Sequence, residues 1–81
     1  EIGGDIMSNY SRPLCIEVYN KVNGQFMGYV KSVNYDTGRF SMTTNRGNAK
    51  KYKTEYELQC DIDVTTVFTM NKGYYMMYGT R

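Results

Sequence analysis

The stretch NAKKYKTEYELQCDIDVTTV, Asn48 to Val67, admits two incompatible conformations. From Tyr56 to Val64 the apolar residues Tyr56, Leu58, Cys60, Ile62 and Val64 alternate with polar ones, the period of a half-buried strand. Directly in front, Thr54-Glu55-Tyr56-Glu57 has the form of a helix capping box, in which Thr54 and Glu57 satisfy two orphan backbone donors reciprocally. The acids Glu55, Glu57, Asp61 and Asp63 gather where a helix dipole favours them, and the same run is poor strand material. Asn71-Lys72-Gly73 supplies a stop. The segment is therefore read as a helix from about Thr54 to Thr69. Cys60, Val64 and Val67 form its apolar stripe, while Leu58 and Ile62 lie off it and need a curved sheet or a second subunit to cover them.

Working outward, Leu14 to Tyr19 is rich in β-branched and aromatic residues and follows Pro13, which suits a strand entry. Asn23-Gly24 is a hairpin signal, since both residues tolerate positive φ. A second strand runs from Gln25 to about Val33 and ends at the turn Asn34-Tyr35-Asp36-Thr37-Gly38. Arg39 to Thr44 follows as a third strand, with Phe40 and Met42 on one face and Arg39, Ser41 and Thr43 on the other. Tyr74 to Tyr78 closes the order β-β-β-α-β. This predicts an α+β fold: a three-stranded antiparallel meander, one helix packed on one sheet face, and a fourth strand.

A chain of 81 residues is one domain. Residues 1–6, EIGGDI, show no periodicity and read as a vector-derived tail ahead of a domain over residues 7–81. A domain of that size buries only about 60–65% of its unfolded surface, which favours a homodimer. The hydrophobic fraction of 41% and nine tyrosines are those of a globular protein. No apolar run is long enough to span a bilayer and no signal segment is apparent, so a soluble, cytoplasmic protein is expected.

Two cysteines without CxxC spacing, and no histidine, give no ligand set for a structural zinc, so no metal or other cofactor is expected. Cys15 and Cys60 are read as buried reduced thiols in preference to a disulfide. Glu57 and Asp61, four residues apart, share a helix face at a spacing that could hold a hard cation, but a solvated acidic face is the plainer reading. The absence of histidine leaves a serine or cysteine nucleophile without its usual base, and no glycine-rich phosphate loop appears. A non-enzymatic protein is expected.

The net charge is +2, and distribution says more than the sum: Arg46, Lys50, Lys51 and Lys53 crowd one loop and the acids crowd the next segment. On the meander, Tyr19, Lys21, Met27, Tyr29, Lys31 and Arg39 share one parity. Tyr19, Tyr29, Lys31 and Arg39, with Arg46, Lys50, Lys51 and Lys53, are the candidate binding residues. Tyrosines among cations suit a host-protein interface, the first reading, and also RNA or single-stranded DNA, the second.

GYVKSVNYDTGRFSMTT at 28–44, NAKKYKT at 48–54, DID at 61–63 and KGYYMMYG at 72–79 resemble small proteins of tailed bacteriophages. The resemblance implies the strand-to-helix placement of these segments. It also implies a role in the bacterial host's cytoplasm, where the protein would bind and inhibit a host macromolecule such as a defence or processing enzyme. No catalytic residue comes with it.

Overall fold

The structure, a computed structural model of the chain, describes residues 13–67 and 74–81. The expected tail at 1–6, the helix end at Thr69 and the stop at Asn71-Lys72-Gly73 lie outside those residues. Four strands form one antiparallel sheet: β1 (Cys15–Asn20), β2 (Phe26–Val33), β3 (Phe40–Thr43) and β4 (Tyr75–Thr80), in the order β3-β2-β1-β4. One helix, α1 (Glu55–Val67), packs against β1 and β4. The fold is α+β, with the helix on one sheet face.

The two hairpin loops, NKVNG and NYDTG, share one plan. Asn20 Oδ1 accepts from the N–H groups of Val22 and Asn23, and Asn34 Oδ1 from those of Asp36 and Thr37. In each, the glycine four residues on donates its N–H to the asparagine carbonyl, at 2.7 Å, and takes positive φ, +73° at Gly24 and +76° at Gly38. Glycine alone is free of a Cβ penalty there. Asn23 keeps negative φ, contrary to expectation, and instead accepts from the Gln25 N–H through its side chain at 2.9 Å.

The helix begins as its capping signal requires. Thr54 Oγ1 accepts from the Glu57 N–H at 3.2 Å, and the Thr54 carbonyl accepts from the Leu58 N–H. The Glu57 carboxylate reaches back one residue further than in the usual box, to the Lys53 N–H at 3.2 Å. Thr54→Ala should lower the unfolding free energy by about 0.5–2 kcal/mol in a urea titration. A change below that range would mean that water replaces the cap at no cost.

The inward face of α1 differs from the expected stripe. Leu58, Asp61 and Thr65 are buried and Ile62 packs beside them, a run at i, i+3, i+4 and i+7. Cys60 is exposed and Val67 is 74% exposed. Both cysteines are free thiols, and only Cys15 is buried, so the expectation of two buried thiols is corrected at Cys60. The apolar pattern does not mark this face because two inward positions are polar: Thr65 Oγ1 donates to the Ile62 carbonyl and Asp61 meets partners from elsewhere in the chain.

Beneath the helix, Leu14, Ile16, Val18, Val30, Tyr52 and Leu58 form the core, extended by Val33, Phe40, Met42, Tyr75 and Met77. The sheet coils enough for Phe40 on one border strand to meet Tyr75 on the other, ring centroids 5.7 Å apart. Two bulges in β2 carry that coiling. Val18 pairs with Gly28 but Tyr19 with Phe26, leaving Met27 extra. Val30 pairs with Met42 but Ser32 with Ser41, leaving Lys31 extra.

Candidate functional site

The sheet face turned away from α1 carries a row of aromatic rings. Tyr78 on β4 meets Tyr19 on β1 at 5.8 Å between centroids, Tyr19 meets Phe26 at 5.5 Å, and Phe26 meets Tyr29 at 5.3 Å, each edge to face. The Arg46 guanidinium closes the row 5.7 Å from the Tyr29 centroid and donates to the Thr80 carbonyl at 3.2 Å. Phe26 is 46% exposed and Tyr78 52%. The Tyr19 hydroxyl donates to Glu17 at 3.1 Å; that bond raises its pKa above the ordinary value, so it stays a neutral donor.

Backbone geometry explains who stands on this face. Between inward Val18 and Val30, strict alternation along β2 would put Phe26 with the core, but the extra residue at Met27 returns it to the side of Tyr19. The second bulge places exposed Lys31 and Ser32 together between buried Val30 and core-packed Val33; Ser32 shares a 2.6 Å hydrogen bond with Ser41. Arg39 keeps the parity of Ser41, and Lys21 that of Tyr19; both are exposed. Cations thus share the face of the aromatic row, whereas Glu55, Glu57 and Asp63 are exposed on the helix behind the sheet.

Of the expected binding residues, Tyr19, Tyr29 and Arg46 lie within this row; Lys31 and Arg39 are exposed on the same face, Arg39 opposite Asn34 and away from Tyr29, which pairs with Thr43. Lys50, Lys51 and Lys53 go elsewhere. Lys51 Nζ donates to the carbonyls of Arg46, Gly47 and Ala49, folding over the 3-10 turn at Arg46–Asn48. Lys53 is exposed beside the helix start. Phe26 and Tyr78 were missed: the bulge hides the first, and the face of an isolated C-terminal strand is fixed only by its register with β1.

Lys50 belongs to a second cluster, on the helix side. Its Nζ donates to Asp61 Oδ2 at 2.8 Å and to the Tyr35 hydroxyl. Tyr35 donates to the same Asp61 oxygen at 3.1 Å, and buried Tyr52 donates to it as well. The ammonium also stands 5.0 Å and 5.2 Å from the Tyr35 and Tyr52 ring centroids. Asp61 is only 5% exposed, so the expected solvated acidic face is corrected at this residue: its carboxylate is the anchor of the cluster.

Burial alone would raise the Asp61 pKa, but the hydrogen bonds from Lys50, Tyr52 and Tyr35 outweigh it and hold the carboxyl below its ordinary value. Burial and the bond to Asp61 push the Tyr52 hydroxyl up strongly. For Lys50, burial acts downward and is outweighed by Asp61 and Tyr35, so the amine remains protonated. A pocket of about 400 Å3 opens here, bordered also by Tyr56, Glu57 and Cys60. Among the described residues no group of three or more Cys, Asp or Glu side chains is placed to share a metal ion. Also among them, no helix is long and apolar enough to cross a membrane.

Comparison with protein-family models, with curated proteins and with solved structures finds no match to this chain.

Proposed function

We propose that this chain is a non-catalytic binding domain whose open sheet face takes single-stranded nucleic acid, RNA or DNA. The observation that carries the reading is the row Tyr78, Tyr19, Phe26 and Tyr29, four rings across three adjacent strands, with Arg46 against Tyr29 and with Lys21, Lys31 and Arg39 exposed on the same face. Bases stack on such rings without regard to sequence, and bordering cations meet the phosphates. One acid, Glu17, stands on this face between Tyr29 and Tyr78, where its carboxylate accepts from the Tyr19 hydroxyl; the exposed helical acids lie on the opposite side.

Anisotropy of labelled oligonucleotides tests this. Four phosphate contacts give a slope of log affinity against log salt of about −3. Phe26→Ala and Tyr78→Ala should each weaken binding about tenfold, the modest end for stacking because neighbouring rings already hold each platform edge-on. Lys31→Ala should weaken all sequences alike and flatten the slope by about 0.7. Failure of the protein to bind any single strand at low salt would sink the reading.

The second reading is a protein that occupies and inhibits a host macromolecule, as the resemblance to phage proteins implies. Tyr, Phe, Met and Arg on one face are also the residues of protein interfaces, and Met76 and Tyr78 contribute to that composition here. In that case Tyr78→Ala and Phe26→Ala would release a protein target in an interaction little affected by salt, with no affinity for oligonucleotides.

A further inference from the structure

Among the described residues β4 is a border strand, and its outer edge has a defined hydrogen-bonding phase. The Lys21 N–H donates to the Tyr74 carbonyl at 2.9 Å. Because backbone groups alternate in direction along an antiparallel ladder, Met76 and Tyr78 turn theirs toward β1, and Tyr75, Met77 and Gly79 turn theirs outward. Among the described residues, no backbone hydrogen bond reaches those outward groups.

Free edges are templates for further pairing, and proteins usually blunt them with charge, proline, a bulge or short length. The opposite border, β3, has four residues and pairs with bulged β2. β4 has six, YMMYGT, without charge or proline, and it runs against β1 without a shift in register. It lacks every one of those protective devices.

We propose that β4 pairs antiparallel with β4 of a second copy across a two-fold axis, joining two four-stranded sheets into one. A two-fold contact needs only a strand complementary to itself, and an uncharged strand sets no like charges against each other when it pairs with its own copy. The pairing supplies partners for the outward groups of Tyr75, Met77 and Gly79. It also carries the aromatic row across the axis through Tyr78, although the contact does not depend on what that row binds.

Sedimentation equilibrium and amide hydrogen exchange of the protein alone test it, with no oligonucleotide present. The expected mass is twice 9.4 kDa, and exchange at Tyr75, Met77 and Gly79 should slow as protein concentration rises. Tyr78→Lys sets like charges beside the axis and should return the mass to that of one chain. Phe26→Lys, on the same face but on β2, should leave the mass doubled. A single-chain mass at every concentration overturns the proposal. So does protection of the three amides that is independent of concentration, since the occupant would then come from the same chain. Dissociation by Phe26→Lys also overturns it, because the copies would then meet face to face.

Discussion

Asp61→Ala is expected to lower the unfolding free energy by about 3 kcal/mol, read as a shift in the urea midpoint at neutral pH. One carboxylate oxygen receives Lys50, Tyr35 and Tyr52, so its removal strands three donors at once. Buried Tyr52 cannot turn its hydroxyl to water, and a buried unsatisfied donor costs about 1–3 kcal/mol. Lys50 is a third exposed and can swing outward, which keeps the expected loss at the lower end for a broken buried pair, about 3–5 kcal/mol. Loss of less than about 1 kcal/mol would show that the cluster reorganises around water and does not anchor the helix.

The same cluster sets a pH dependence with a definite sign. The folded Asp61 carboxyl titrates below its ordinary value of 3.8, so its stabilisation is complete above that value and is lost as pH falls through the lower folded pKa. Tyr52 behaves in the opposite sense. Its folded pKa lies above the ordinary 10.0, so its contribution is complete below 10.0 and is lost as the pH rises from there toward the folded value. The gap between wild type and Asp61→Ala should therefore be full above 3.8 and close as the pH falls; on the alkaline side it narrows only by the part of the Tyr52 effect that comes from Asp61, since burial of Tyr52 acts in both proteins.

Local chemistry made much of the fold legible. The glycine-ended hairpin loops and the Thr54 cap act within five residues, and their places follow from sequence, although the first loop turns on Asn20 and not on Asn23. The helix is legible over the strand for that reason, whereas its inward face is not. Asp61 is tolerated inside only because Tyr52, Lys50 and Tyr35 arrive from 9, 11 and 26 positions away, and no local pattern announces them. On the sheet, simple parity holds for Tyr19, Tyr29 and Arg39, which lie outside the bulges, whereas Met27 and Lys31 of the same parity are the two extra residues themselves. Phe26 has the other parity and reaches the same face only through the extra residue at Met27. A bulge is a property of two strands together, so one strand's sequence signals it weakly, here by a glycine at the next position.

That glycine carries the remaining large effect. Gly28→Ala is expected to destabilise the protein by about 3 kcal/mol, for two reasons that reinforce each other. Its φ of +142° is a conformation that residues with a Cβ rarely adopt, and an added Cβ would lie 2.9 Å from the Thr43 carbonyl oxygen. Backbone cannot yield as a flexible side chain does: moving Thr43 away pulls β3 from β2 beside the Tyr29–Thr43 pair. Gly24→Ala is the control. Its φ is +73° but nothing lies within 4 Å of the added carbon, so only the conformational cost of about 1 kcal/mol applies. The consequence reaches the binding face. If β2 relieves the clash by expelling the bulge, alternation moves Phe26 away from Tyr19, and the ring-current shifts of that pair should vanish in NMR spectra of the folded variant. Equal costs for Gly28→Ala and Gly24→Ala, with the Phe26–Tyr19 shifts intact, would show that the bulge does not depend on the glycine.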